Sequence, residues 1–443
     1  MARAAQVGSH VDLLRELVRV KSVNPPGDER GVANLLERQL SEAGMSTQIL
    51  DSSTGRPSLV ARLDGPRDRP ALVLLSHSDV VPVEPDAWSR DPFAADISGG
   101  YLWGRGTLDM KGIAVMHAAA AAQVARSARA VTRELIVVVV PDEEDGGGEG
   151  ARWLISHHPE KLGFEEGRPR PEVLGEGGYG VSGVIDRPVM PIVLGEKTAV
   201  TVEIVAEGDA GHGALPPRDQ AAVNVAKIVR SVAGFGTPRV HPVMREQFAA
   251  LAPAAGGSKA GALRALASRM GGATARAVAA TMRRESSLGL LLSDSVTPTV
   301  LAAGYKANVV PGEARATFDC RLLPDTDVDR FVSAVNKRAR RHGGRVAAVV
   351  DRGHGPVSDK GPLYGILERA SADLDALPVA SLTPTITDLR FFRARGATGY
   401  GWCPLVLTPE LLATVHGHNE RVNVVDFERA VQIMTDVVVD ACT

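Results

Sequence analysis

The chain has 443 residues, 44% of them hydrophobic, and its 50 Lys+Arg against 52 Asp+Glu give a formal charge of -2. That length admits two or more domains. The near-neutral balance, without a basic stripe or a run of 18 apolar residues, argues against nucleic acid and membrane as partners and against a transmembrane helix.

Residues Met1 to Gly8 are too short and too polar for a secretory signal, so a cytoplasmic enzyme is expected. Helical patterns then run through His10–Val20 and Gly31–Ala43, and strand patterns lie at Ser58–Leu63, Ala71–Ser76 and Leu135–Val140. An Ala-rich helix covers Ile113–Ala125, and another opens at Ala151–Ser156. This alternation predicts an α/β sheet with helices on both faces. Near Glu196 the character changes. Thr198–Ala206 alternates like a half-exposed strand, Gln220–Val232 is helical, and Thr297–Ala302 and Glu313–Leu322 alternate again. A basic helix at Asp327–Arg341 and a strand at Arg345–Val350 complete a β-α-β-β-α-β order, the pattern of a ferredoxin-like unit. Between its halves, His241–Ser293 reads as an insertion of helices and loops. Helix–strand alternation resumes from Gly361 through Leu363–Ala372 and Asp426–Ala441. The predicted layout is a discontinuous α/β catalytic domain, 1–197 and 354–443. It is interrupted by a smaller α+β domain, 198–353, with the insertion at about 241–293.

Three apolar or Gly-rich segments hand off to groups that bind metals. Leu72-Val-Leu-Leu-Ser-His77-Ser-Asp79 ends in a His and an Asp, and Gly104-Arg-Gly-Thr-Leu-Asp109-Met-Lys-Gly112 supplies a carboxylate after a turn. Leu135–Val140 runs into Pro141-Asp-Glu143-Glu144-Asp145. Glu176, in Gly175-Glu-Gly-Gly178, and His416, in Val415-His-Gly-His-Asn-Glu420, extend the set. Divalent cations take carboxylates and imidazoles, and a parallel sheet gathers its site at the carboxyl ends of its strands. Each motif alone is weak. A His-x-Asp is more often a satisfied loop pair, a Glu-Glu is usually solvated, and Gly104-Arg-Gly106 lacks the Lys-Ser/Thr of a phosphate loop. Their joint occurrence after apolar runs points to a metal-dependent hydrolase. The three cysteines, Cys320, Cys403 and Cys442, lie far apart and read as reduced thiols rather than as a disulfide framework or a thiolate zinc site.

The order His-x-Asp, Gly-Arg-Gly-x-x-Asp-Met-Lys-Gly, Asp-Glu-Glu, Glu-Gly-Gly, Gly-His-Gly and His-x-x-x-Glu resembles the M20 metallopeptidase family, from about Leu13 to Asp440. The resemblance implies a zinc-exopeptidase-like catalytic domain and a lid or dimerisation domain. It implies two zinc ions, with Co²⁺ or Mn²⁺ as substitutes. His77 and Glu176 would hold one ion, Glu144 and His416 the other, and Asp109 would bridge them. Glu143 would be the general base, and Asp79 would orient His77 through its other ring nitrogen. The Asp109–Met110 peptide is a candidate for the cis form. His212, in Gly211-His-Gly213, corresponds to a lid histidine that stabilises the oxyanion, although on its own it reads as a turn residue. Arg390, in Thr387-Asp-Leu-Arg390, Asn308 and, more weakly, Arg321 would bind substrate; Arg321 also reads as a structural ion-pair arginine. Thr385-Ile386 stand where relatives carry two glycines. His418, Asp145 and Glu149 are expected outside the ligand set. The implied substrate is a peptide or N-acyl amino acid with a free carboxylate, and N-succinyl or N-carbamoyl amino acids are alternatives. A homodimer through the lid is also implied for many relatives, and others are monomers.

Overall fold

The computed structural model describes residues 7–127, 129–236, 238–268, 277–281 and 287–443. Residues 1–6 of the expected N-terminal segment, and 269–276 and 282–286 of the expected insertion, lie outside the described residues.

Two sheets organise the chain. The larger has eight strands, in the order Ser46–Asp51, Pro57–Leu63, Leu135–Val140, Leu72–His77, Glu172–Val181, Thr398–Leu407, Val189–Glu196 and Leu377–Thr383. Four adjacent strands, Leu135–Val140 through Thr398–Leu407, run parallel. The strands Leu72–His77 and Leu135–Val140 are buried at every position. That is why they read as unbroken apolar runs: helices cover both faces of a parallel sheet. The Ala-rich helix Lys111–Arg126 lies between this sheet and the C-terminal helix Val424–Cys442, and its small side chains permit the close approach. Asn423 starts that last helix by accepting the N–H groups of Val425 and Asp426.

The smaller sheet takes its strands in the order Ser295–Ala303, Glu313–Leu322, Thr198–Glu207, Gly344–Asp351, all antiparallel. With the helices Ala221–Val232 and Val328–Arg340 this is the β-α-β-β-α-β order of a ferredoxin-like unit with its own apolar core. Of the insertion, the helices Pro242–Leu251 and Gly257–Ala267 are described. The first lies against Leu377–Thr383, the edge strand of the larger sheet, where Leu251 packs with Val189 and Val379, and Phe248 with Leu382. Among the described residues no helix is long and apolar enough to cross a membrane.

Candidate metal centre

The four parallel strands deliver their chemistry at one end. His77 closes its strand, and its Nε2 lies 3.2 Å from Asp109 Oδ1 and 3.1 Å from Glu176 Oε2. Its Nδ1 meets the backbone oxygen of Asp79 at 3.0 Å, nearer than the Asp79 carboxylate at 3.5 Å. The expected orienting role therefore falls chiefly on the Asp79 carbonyl. The buried Asp79 carboxylate turns to the next strand end and accepts the N–H groups of Glu143 (3.2 Å) and Glu144 (3.1 Å). Burial alone would lower the His77 pKa, yet its hydrogen bonds to Asp109, Asp79 and Glu176 push it well above the ordinary value.

Asp109 sits in the turn before the helix Lys111–Arg126, and the Asp109–Met110 peptide is cis. Its second oxygen, Oδ2, faces His416 Nε2 at 3.0 Å. That imidazole also lies 3.2 Å from Glu144 Oε2, and hydrogen bonds to Asp109 and Glu144 push its pKa up to about 10. The turn is shaped by Glu420, whose buried carboxylate accepts the N–H groups of Gly106, Leu108 and Asp109 and pairs with Arg105 at 2.7 Å. Glu420 was visible in the sequence as the last member of His-x-x-x-Glu. Its task became visible only once the turn had folded around it. The Tyr179 hydroxyl donates to the Leu108 carbonyl of the same turn.

Glu176 is not followed by a simple Gly turn, as its Gly-Gly sequence suggests. The strand continues to Val181 through Gly177 and Gly178, both at positive φ. A Cβ on Gly178 would fall 2.4 Å from the Gly401 carbonyl, so only glycine lets the backbones meet there. Glu143 is buried, and burial together with the charge of Glu176 raises its pKa well above the ordinary value. Burial likewise pushes Glu176 up to about 7, against the pull of His77.

Ligand atoms of His77, Glu143 and Glu176 lie within 4.8 Å of one another, as do those of His77, Asp109 and Glu144. Glu144 Oε1 is buried without a hydrogen-bond partner. An orphaned acceptor among imidazoles and carboxylates is the donor chemistry a divalent cation satisfies, so these residues fit a metal.

The other expected residues lie elsewhere. His212 is exposed on the short strand Gly211–His212 of the smaller domain, paired with Val309–Val310. Its Nδ1 accepts the Ala214 N–H at 3.0 Å, and the Gly213 N–H donates to the Asn308 carbonyl at 3.0 Å, so His212 and Asn308 are neighbours. Among the described residues no hydrogen bond or ion pair joins His212 to the carboxylate cluster. Arg321 forks onto Asp319 at 3.0 Å, as a structural ion pair does. Arg390 departs from expectation. Its side chain is fully buried, and its guanidinium donates to the carbonyls of Thr387, Arg352 and Gly146 while stacking on Phe391. It holds loops together and offers no free face to a substrate carboxylate. Thr387, next to the altered Thr385-Ile386 pair, is fixed by Glu196 through both its N–H and its hydroxyl. Asp388, which was not singled out, lines the small cavity beneath His77, Glu143 and Glu176. His418 is paired only loosely with Glu84 at 3.5 Å, and Asp145 is exposed. Glu149 accepts from Thr54 at 2.7 Å.

Residues 73–440 match the model of peptidase family M20/M25/M40. Mouse aminoacylase-1 is 26% identical over 96% of this chain and 93% of its own length. Succinyl-diaminopimelate desuccinylase of Phenylobacterium zucineum is likewise 26% identical, over 95% of this chain and 94% of its own. Among solved structures, an M20 family metallo-carboxypeptidase of Sulfolobus solfataricus superposes with a TM-score of 0.74 at 18% identity, covering 97% of this chain and 98% of that one. The family match spans most of the chain and includes every carboxylate and imidazole of the cluster. This chain belongs to peptidase family M20/M25/M40 and is a metal-dependent hydrolase.

Proposed function

We propose that this hydrolase works with two zinc ions and cleaves an amide or peptide bond next to a free carboxylate, in a dipeptide, a peptide C-terminus or an N-acyl amino acid. One observation carries the reading. The two oxygens of Asp109 face different histidines, Oδ1 toward His77 at 3.2 Å and Oδ2 toward His416 at 3.0 Å. That is the disposition of a carboxylate shared by two cations. His77 and Glu176 would hold one ion and Glu144 and His416 the other, with Asp109 between them. Two bound cations would bring the pKa of a shared water toward neutrality and polarise the amide carbonyl.

The chain supplies the rest. Glu143, held beside His77 and Glu176 by its N–H bond to Asp79, takes a proton from the attacking water on its carboxylate and returns it to the leaving amine. Burial raises its pKa in the metal-free chain, the direction that makes a carboxylate a stronger base. The Ala214 N–H occupies His212 Nδ1, which leaves Nε2–H as the donor for a developing oxyanion once the smaller domain closes on the substrate. Asn308, beside it, offers an amide to the substrate. Neither Arg390 nor Arg321 is assigned the carboxylate, because both guanidinium groups are engaged within the chain.

Cys320, Cys403 and Cys442 are buried and unpaired, which supports a reducing, cytoplasmic setting. A homodimer through the smaller domain belongs to the same proposal, and sedimentation tests it.

The deciding experiment is a hydrolysis screen of dipeptides and N-acyl amino acids with added Zn²⁺, Co²⁺ or Mn²⁺, paired with metal analysis. Amide cleavage with close to two ions per chain supports the proposal, and a metal-free active enzyme refutes it. Preference for N-succinyl or N-carbamoyl amino acids would assign the same centre to the desuccinylase-like alternative.

A further inference from the structure

The turn that carries Glu143 and Glu144 is fastened from behind by a charge network to which the chemistry above gives no task. Asp142, the first residue of that turn, has a left-handed backbone, with φ 72°. One of its carboxylate oxygens, Oδ1, accepts Arg56 Nη1 at 2.6 Å and Asn24 Nδ2 at 3.3 Å; the other accepts the Glu149 N–H at 2.8 Å. Arg56 precedes the strand Pro57–Leu63, and the same guanidinium forks onto Glu29 through Nε and Nη2. Glu29 is 1% exposed and sits at the start of the helix Arg30–Ser41. Asn24 closes the circuit: its Nδ2 also donates to Asp79 at 2.8 Å, and Asp79 holds the N–H groups of Glu143 and Glu144. The backbone lies flush against this hub, because a Cβ on Gly27 would fall 2.6 Å from Arg56 Nη2.

We infer that Arg56 is a positioning residue for the metal centre: through Asp142 it fixes the direction in which the Glu143–Glu144 turn leaves its strand. A planar fork suits this work better than an ammonium, since it meets two carboxylates in fixed directions at once. Asp142, Glu143 and Glu144 are three consecutive acids, and without a cation behind them their mutual repulsion would favour a splayed turn. Arg56 touches none of the expected metal ligands; its direct side-chain partners are Glu29, Asn24 and Asp142, so its influence falls first on the turn that Asp142 opens. Glu144 and Glu143 would shift while His77, Asp109 and Glu176 keep their own supports. The assignment of Glu143 as base and Glu144 as ligand rests on the proposed function.

Zn²⁺ titration of the metal-free protein, followed by calorimetry, tests the inference without relying on turnover. Arg56→Met is expected to keep one Zn²⁺ site and weaken the other about 10- to 100-fold, the usual effect of removing a ligand's outer support. Asp142→Asn should do the same, with little change in shape because Asn tolerates a left-handed backbone. The double variant should be no worse than either single one, because both break one chain of contacts. Arg56→Lys should recover part of the loss. In the active enzyme kcat should fall with KM unchanged. Equal weakening of both sites, no weakening, or additive effects of the two substitutions would overturn the inference. If Arg56→Met fails to fold because Glu29 is left unpaired, Asp142→Asn decides alone. Should the wild type bind two ions and hydrolyse nothing, the hydrolytic reading fails and the titration still decides the role of Arg56.

Discussion

Glu420 accepts the backbone N–H of Asp109 at 3.2 Å, across 311 residues of sequence. The carboxylate that faces both histidines is thus placed from the far end of the chain. Glu420 also takes the N–H groups of Gly106 and Leu108 and the Arg105 guanidinium. Glu420→Gln keeps the volume and loses the charge. It should lower metal affinity about 10- to 100-fold. It should also destabilise the fold by about 3–5 kcal/mol, because Arg105 is left buried and unpaired. Metal analysis and thermal unfolding read both effects, and unchanged metal content would show that the turn does not need this support.

Glu143 lies close enough to His77 and Glu176 to be either a ligand or a base. Glu143→Ala separates the two roles. As a base, its loss should cut kcat by about 10²–10⁴-fold while two ions per chain remain bound. Loss of an ion in metal analysis would make it a ligand instead, and unchanged amide hydrolysis would remove it from the mechanism.

His416 keeps its proton up to about pH 10 in the metal-free protein, through its bonds to Asp109 and Glu144. A cation binds the neutral imidazole, so an ion seated there displaces that proton. The pKa is raised on folding, so the proton is present throughout the neutral range and leaves only as pH climbs toward 10. Zn²⁺ affinity at the Glu144–His416 site should therefore increase with pH by about tenfold per unit from near-neutral to mildly alkaline solution. Calorimetry in buffers of different ionisation enthalpy should register the released proton. Linkage also means that His416 stabilises the metal-free fold fully below its unfolded value near 6.5, and that this contribution fades as pH rises through about 10.

Arg390→Met should act on stability rather than on substrate affinity. It leaves the carbonyls of Arg352 and Gly146 without the guanidinium, at about 1–3 kcal/mol for each group left unsatisfied, while the Thr387 carbonyl keeps the backbone N–H of residue 390. A lowered unfolding midpoint with unchanged KM for carboxylate substrates is expected. A raised KM at unchanged stability would return the guanidinium to the substrate.

The sequence disclosed the centre because each strand end announces itself twice, once by an unbroken apolar run and once by the charged residue that ends it. His77 and Glu143 follow runs buried on both faces, where a charge has no reason to stand unless it is used. The ferredoxin-like order was legible for a related reason: alternation on Thr198–Glu207 records one buried and one exposed face. Direction was not legible. Thr-Asp-x-Arg gives the spacing of Arg390 but not the fact that the short helix Leu389–Ala394 turns Arg390 inward, together with Leu389, Phe391, Phe392 and Arg393. Long-range partners were equally hidden. Nothing near Arg56 in sequence marks Glu29 and Asp142 as its neighbours, and nothing near Asp79 marks the N–H groups it would accept.

The helix Pro242–Leu251 belongs by sequence to the interrupting segment, yet Leu251 and Phe248 pack on Val379 and Leu382 of the catalytic sheet. On the same strand Ala380 joins the main core. One face of this edge strand is thus roofed by its own domain and part of the other by its neighbour. The interrupting segment is therefore tied to the larger sheet by an apolar seam as well as by the chain itself, and any rearrangement of the two has to keep that seam covered or expose it to water.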